Sequence, residues 1–237
     1  MTRKLPSTGG DGRVVDETGC DTSDILLVHR IFRWGYREMP VLVRAVPAGD
    51  LERAETVGAA VELVDKALHV HHEGEDRFIW DRLERREPGC SLHVDVMKAQ
   101  HARVAELLDV ADALLAEWRT APDPATGERL AAALDSVGET LGVHLGREEA
   151  DIVPIVARVF TQAEWDEIGE HARNEFPKET MPVQMGLMID AVPAGERDEW
   201  LHENLPLPVR ALWSLVMRRK YTAWQRSLFP DGMPALA

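Results

Sequence analysis

Two stretches decide how this chain reads: His71-His72-Glu73-Gly74-Glu75-Asp76-Arg77-Phe78-Ile79-Trp80-Asp81 and His144-Leu145-Gly146-Arg147-Glu148-Glu149-Ala150-Asp151-Ile152-Val153-Pro154. Each runs histidine, three residues, glutamate, a second acid, then isoleucine three residues after that acid. A lone histidine precedes each at nearly equal distance: His29 lies 42 residues before His71, and His101 lies 43 before His144. On a helix the four-residue step puts His71 with Glu75, and His144 with Glu148, on one face. The pattern is that of two similar helical hairpins, each supplying one histidine and then a His-x-x-x-Glu pair.

The flanking sequence supplies the helices. Ile25, His29, Phe32 and Tyr36 share a face over 22–46, with Asp21 or Thr22 as cap and Gly35 and Pro40 as points of bending or breakage. Val57, Val61, Val64, Leu68, His71, Glu75 and Phe78 repeat at alternating steps of four and three over 51–86, capped by Asp50. Over 92–119 the seam is Val94, Met97, His101, Val104, Leu108, Ala111 and Leu115. Over 125–158 it is Leu134, Val137, Leu141, His144, Glu148 and Ile155, with Asp123 as cap and Pro154 as a kink near the end. Thr161 to Glu164 is a capping box that opens a fifth helix. Further helices follow, the last expected to turn Leu212, Leu215 and Val216 inward and Arg218, Arg219 and Lys220 outward. The expected fold is all-α: an antiparallel up-and-down four-helix bundle over 22–158, a flexible N-terminal arm over 1–21, and a helical extension packed on the bundle over 159–237.

Composition narrows the function. Of 237 residues, 27 are basic and 41 acidic, a net charge of -14, which argues against non-specific nucleic-acid binding and against attraction to acidic membranes. Two cysteines, Cys20 and Cys90, make neither a disulfide scaffold nor a thiolate metal cluster. With no secretion signal and no membrane-length apolar run, the expected location is the cytoplasm.

Four seam histidines and two seam glutamates, in phase and in matched halves, would strand charge in an apolar core unless a metal held them. The expected ligands are therefore His29, His71, Glu75, His101, His144 and Glu148. Six nitrogen and oxygen donors exceed the four of a structural zinc and fit two ions that share the carboxylates. Non-haem iron leads, manganese and zinc are compatible, and an oxo or hydroxo bridge fits the open positions. Around this set, His72 and Asp76 read as supporting groups. Tyr36 is too far along its helix unless Gly35 bends it, and His171, His69, His93 and His202 read as surface residues.

These residues resemble the hemerythrin-like, or HHE cation-binding, family over 22–158. The resemblance implies a four-helix bundle around a non-haem di-iron centre. His29 matches its first-helix ligand, His71 and Glu75 its His-x-x-x-Glu, His101 its third helix, and His144 with Glu148-Glu149 its last signature. The oxygen-carrying members have a second third-helix histidine one turn away, where this chain has Met97 or Ala105. They also space the last pair one residue wider, which selects Glu149. The internal repeat selects Glu148, with Glu149 second. The resemblance implies as partner a small diatomic gas or peroxide. Whether the chain is an enzyme, and whether it has a protein partner, stay open, and a non-redox or structural metal bundle acting as an interaction module is the alternative.

Overall fold

The computed structural model describes residues 19–236, so most of the expected N-terminal arm lies outside the described residues. The four seams form α1 (Ser23–Arg44), α2 (Leu51–Phe78), α4 (Ser91–Thr120) and α5 (Pro124–Arg147). Each helix packs on two others, in the cyclic order α1, α2, α4, α5. Their register is antiparallel throughout. His29 meets His71 while Tyr36 meets Asp65 across α1 and α2. His101 meets Glu75 while Arg119 meets Glu62 across α2 and α4. Gln100 meets His144 while Glu117 meets Arg129 across α4 and α5. Asp50 caps α2 by accepting from the Arg53 amide, and Asp123 caps α5 by accepting from Ala125 and Thr126. Of the bending or breakage expected at Gly35 and Pro40, no break occurs: α1 runs through both to Arg44.

Two of the expected helices are interrupted, at equivalent places. The second breaks at Ile79 (φ -99°, ψ -59°) and resumes as α3 (Trp80–Arg86). The fourth passes through a wide turn, Glu148–Ile152, and resumes as α6 (Val153–Val159). Ile152 has nearly the dihedrals of Ile79 (φ -105°, ψ -55°). Pro154 lacks the amide that would have closed the preceding turn, which accounts for the position of this irregularity. Both interruptions shift the seam by one residue. Ile79, not Phe78, is buried beyond Glu75, and Ile152 and Val156, not Ile155, are buried beyond Glu148.

The apolar interior falls into two clusters. The larger fills most of the bundle and reaches into the extension, with Phe32, Leu68, Val104 and Leu141 at one end. The smaller holds Ile25, Ile79, Trp80, Met97, Ile152 and Phe160. Helices α1 and α4 reach both clusters, α2 and α5 lead from the larger into α3 and α6 of the smaller, and the seam histidines lie between the two.

The extension comprises α7 (Gln162–Asn174), α8 (Met181–Ala191), α9 (Arg197–Asn204), α10 (Leu207–Leu212) and α11 (Arg218–Leu228), the last two joined by a wide turn at Trp213–Met217. The capping box at Thr161 starts α7 as expected. This helix crosses α2 at Gly74, where a Cβ would meet Ile168 at 3.4 Å and His171 at 3.5 Å, ordinary contact distances that do not by themselves require glycine. The expected inward face of the last helix is wrong. Trp213, Met217 and Tyr221, a four-residue series with more area to bury, turn inward, and Leu212, Leu215 and Val216 are exposed. Backbone carbonyls tie the extension down: Ala191 accepts from Arg30, Pro234 from Trp34, and Leu228 from Arg53.

Two core positions generate predictions. A Cβ on Gly186 would stand 2.3 Å from the Tyr221 ring, whose hydroxyl is anchored on Asp190. Gly186→Ala therefore overpacks the seam between α8 and α11 and should cost about 1–3 kcal/mol in chemical denaturation. Asp65 is buried, accepts from the Tyr36 hydroxyl at 2.7 Å, and leaves its Oδ2 without a hydrogen-bond partner. Burial, against the Tyr36 bond, pushes its carboxyl from 3.8 up to about 7. The folded protein thus keeps a proton that the unfolded chain releases near its ordinary value, so stability falls as pH rises from about 4 to about 7. Asp65→Asn should flatten that slope and gain up to about 4 kcal/mol at the upper end. An unchanged slope in denaturation curves across this range would contradict it.

Candidate metal centre

Helix α2 stands between α1 and α4, so two adjacent residues on it serve two neighbours. His71 turns toward α1, its ring centroid 5.3 Å from that of His29 and 5.2 Å from that of Phe32. His72 turns the other way, stacked on His101 at 3.9 Å and edge-on to His144 at 5.1 Å. Glu75 and Glu148 lie among the imidazoles, both fully buried. His29 Nε2 is 3.3 Å from Glu148 Oε2, and His101 Nε2 is 3.3 Å from Glu75 Oε2. His71 Nε2 is 3.2 Å from Glu75 Oε1, and His144 Nε2 is 3.7 Å from Glu148 Oε2. These approaches follow a pseudo-two-fold axis that exchanges the two hairpins.

The side chains form two overlapping sets: His29, His71, Glu75 and Glu148, and His72, Glu75, His101 and His144. In each set the potential donor atoms all lie within 4.8 Å of one another. The Nε2 atoms of all five histidines and both oxygens of both glutamates are buried without a hydrogen-bond partner. Buried polar atoms left unpaired are costly, and a cluster of nine implies a cation that they satisfy together. The donor set, imidazole and carboxylate without sulfur, fits non-haem iron, manganese or zinc.

The outward ring nitrogens are held as well. Glu149 Oε1 meets His29 Nδ1 at 2.8 Å and accepts from Arg33 at 2.7 Å. At the pseudo-symmetric place Asp76 Oδ1 meets His101 Nδ1 at 2.8 Å and accepts from the Trp80 indole at 2.6 Å. Gln100 Oε1 stands 3.3 Å from His144 Nδ1. A histidine that donates through Nδ1 presents the Nε2 lone pair inward, which is the tautomer a metal needs. Burial alone would lower His29 and His101, yet their carboxylate neighbours lift both to about 9. Burial, reinforced by the neighbouring imidazoles, holds His71 and His72 well below the ordinary value and His144 down at about 4. Burial also raises Glu75, with repulsion from Glu148 adding to it, whereas the His29 contact outweighs burial at Glu148 and keeps it ionised.

Residues 21–156 match the hemerythrin HHE cation-binding domain. The chain belongs to this family. No curated protein and no solved structure matches it. The hemerythrin match ends within α6, so the helices from α7 onward lie beyond it.

Within this hemerythrin-family bundle the structure gathers all six residues expected as ligands and adds His72, which the sequence reading had placed in a supporting role. Neither Met97 nor Ala105 supplies a further imidazole on α4; the fifth comes from α2. Glu148 lies inside the centre and Glu149 outside it, on His29. Asp76 holds the outer nitrogen of His101. Tyr36 lies apart, its hydroxyl committed to Asp65. His171 is not on the surface: its side chain is buried beside Gly74 and against Phe78, with ring centroids 5.5 Å apart. His69, His93 and His202 are exposed. Arg33, Trp80 and Gln100 also support the centre and do not stand out in the sequence. The usable signal for Arg33 and Trp80 is spacing alone, each lying four residues along a helical path from a residue it supports or bonds, His29 and Asp76. Gln100 has none.

Removing the outer supports tests this arrangement. Glu149→Ala and Asp76→Ala should each weaken metal retention against a competing chelator by about 10–100-fold, with helix content by circular dichroism unchanged. Retention equal to that of the parent would show that these carboxylates do not orient the histidines.

Proposed function

We propose that the chain is a non-haem di-iron protein that binds or senses a small oxidant or gas: dioxygen, nitric oxide or peroxide. In this reading His29, His71, Glu75 and Glu148 hold one ion, and His72, Glu75, His101 and His144 hold the other. The observation that carries it is the set of nine buried, unpartnered donor atoms between two apolar clusters. Bound there, the irons supply one-electron chemistry and Lewis acidity toward a small oxygen or nitrogen ligand.

The chain's own residues do the rest. Glu149 and Asp76 fix two imidazole orientations from outside. Phe32 and Leu68 on one side, and Met97 and Ile152 on the other, keep bulk water from the centre and lower the local dielectric. Glu75 belongs to both sets and is the residue placed to bridge them. No helix among the described residues is long and apolar enough to cross a membrane. In this reading the protein is cytoplasmic, which the two free thiols, Cys20 and Cys90, support by suiting a reducing compartment.

Metal analysis of freshly purified protein, with optical spectra under dioxygen, nitric oxide and peroxide, is the decisive test. Two irons per chain and a band that changes with oxidant are expected. Metal bound without any redox response would favour a structural cation instead. Chelation should also lower the melting temperature, because metal at a hundred times its Kd contributes about 2.7 kcal/mol to the folded state. Glu75→Ala, which removes the donor common to both sets, should abolish the two-ion stoichiometry.

A further inference from the structure

A groove of about 380 Å³ opens between α1 and α5, outside the centre described above. It exists because α5 has two glycines one turn apart. At Gly138 the helices touch, since a Cβ there would stand 3.0 Å from the Tyr36 Cβ. At Gly142 a Cβ would meet nothing within 4 Å, so the helix surface is cut away there. The inner wall is apolar: Phe32 and Leu141, exposed by 2% and 1%. Phe32 follows His29 by three residues and its ring rests against His71, while Leu141 precedes His144 by three. A molecule at the bottom of the groove is therefore separated from the centre by a single layer of side chain.

The four charged side chains of the rim sum to zero charge. Arg33 and Arg37 on α1 face Asp135 and Glu139 on α5. Three of these four are paired, Arg33 with Glu149, Arg37 with Glu38 and Asp135 with Arg44. Two charges of each sign neither draw an anion nor repel it, and an apolar floor favours a guest that carries no hydration shell.

We propose that this groove is where a small uncharged diatomic molecule collects and passes to the centre, with Phe32 as the side chain that must move to admit it. The proposal rests on the di-iron reading above. It makes Phe32 and Gly142 determinants of how fast and how selectively the centre is reached, without giving either a part in holding metal. An anion faces balanced charge at the rim and desolvation at the floor, so it gains no such advantage.

Two measurements test it. The first uses protein exchanged into diamagnetic zinc, under dioxygen pressure. Paramagnetic broadening should be larger at the Leu141 methyls than at those of Leu134, which is equally buried on the same helix but does not line the groove. Gly142→Phe, which fills the opening without a backbone clash, should remove the difference. The second follows nitric oxide association with the iron-loaded protein by stopped flow. Gly142→Phe should slow it about tenfold, equivalent to about 1.4 kcal/mol on the barrier, and leave the final spectrum unchanged. Phe32→Leu, a smaller side chain that still fills the core, should speed it. Equal broadening at Leu141 and Leu134, or a nitric oxide band that forms at parental rate in Gly142→Phe, overturns the route while the di-iron reading stands. A loaded protein with no nitric oxide band at all overturns the di-iron reading and the route that depends on it.

Discussion

Two buried carboxylates, four buried imidazoles and the nearly buried His71 lie between two apolar clusters in the interior of a four-helix bundle. No bundle of this size hides them without compensation, and the compensation shapes everything near them. All four bundle helices must cross this layer in phase, which sets their register. The outer nitrogens must be held, which brings Glu149, Asp76 and Gln100 into place. The helices themselves yield at the layer's edge, where Ile79 and Ile152 depart from regular geometry in the same way. The irregularities let a glutamate point into the layer and an isoleucine four residues later seal the apolar cluster beyond it.

Much of this was legible beforehand, because periodicity and burial are written in the same residues. A histidine recurring in step with valine and leucine on a seam has to be buried, and four such histidines with two glutamates identify the layer. What escaped has physical causes. His72 lies about 100° around the helix from His71, and a single seam has no place for it. Every helix of the bundle packs on two others, so its inward surface is wider than one seam. Phe78 and Ile155 fall on the seam of a regular helix; the break at Ile79 and the wide turn before Pro154 move burial to Ile79, Ile152 and Val156. On the last helix, apolar residues occupy nearly every direction, so pattern alone did not choose. Trp213 and Tyr221 decided it through size and through the notch at Gly186.

The extension is bound to the bundle by more than apolar contact. Arg30, Trp34 and Arg53 donate to its backbone, and α7 packs across α2 at Gly74. The extension covers α1 and α2 from outside, while a groove stays open between α1 and α5.

One departure from the pseudo-two-fold has wider meaning. Where the first hairpin has His72, the second has Leu145, packed into the larger cluster. On the proposed assignment one ion then meets three imidazoles and a carboxylate, its neighbour two of each. Unlike nests fill in order, so titration passes through a half-loaded species. Two different metals offered together would sort themselves between the places.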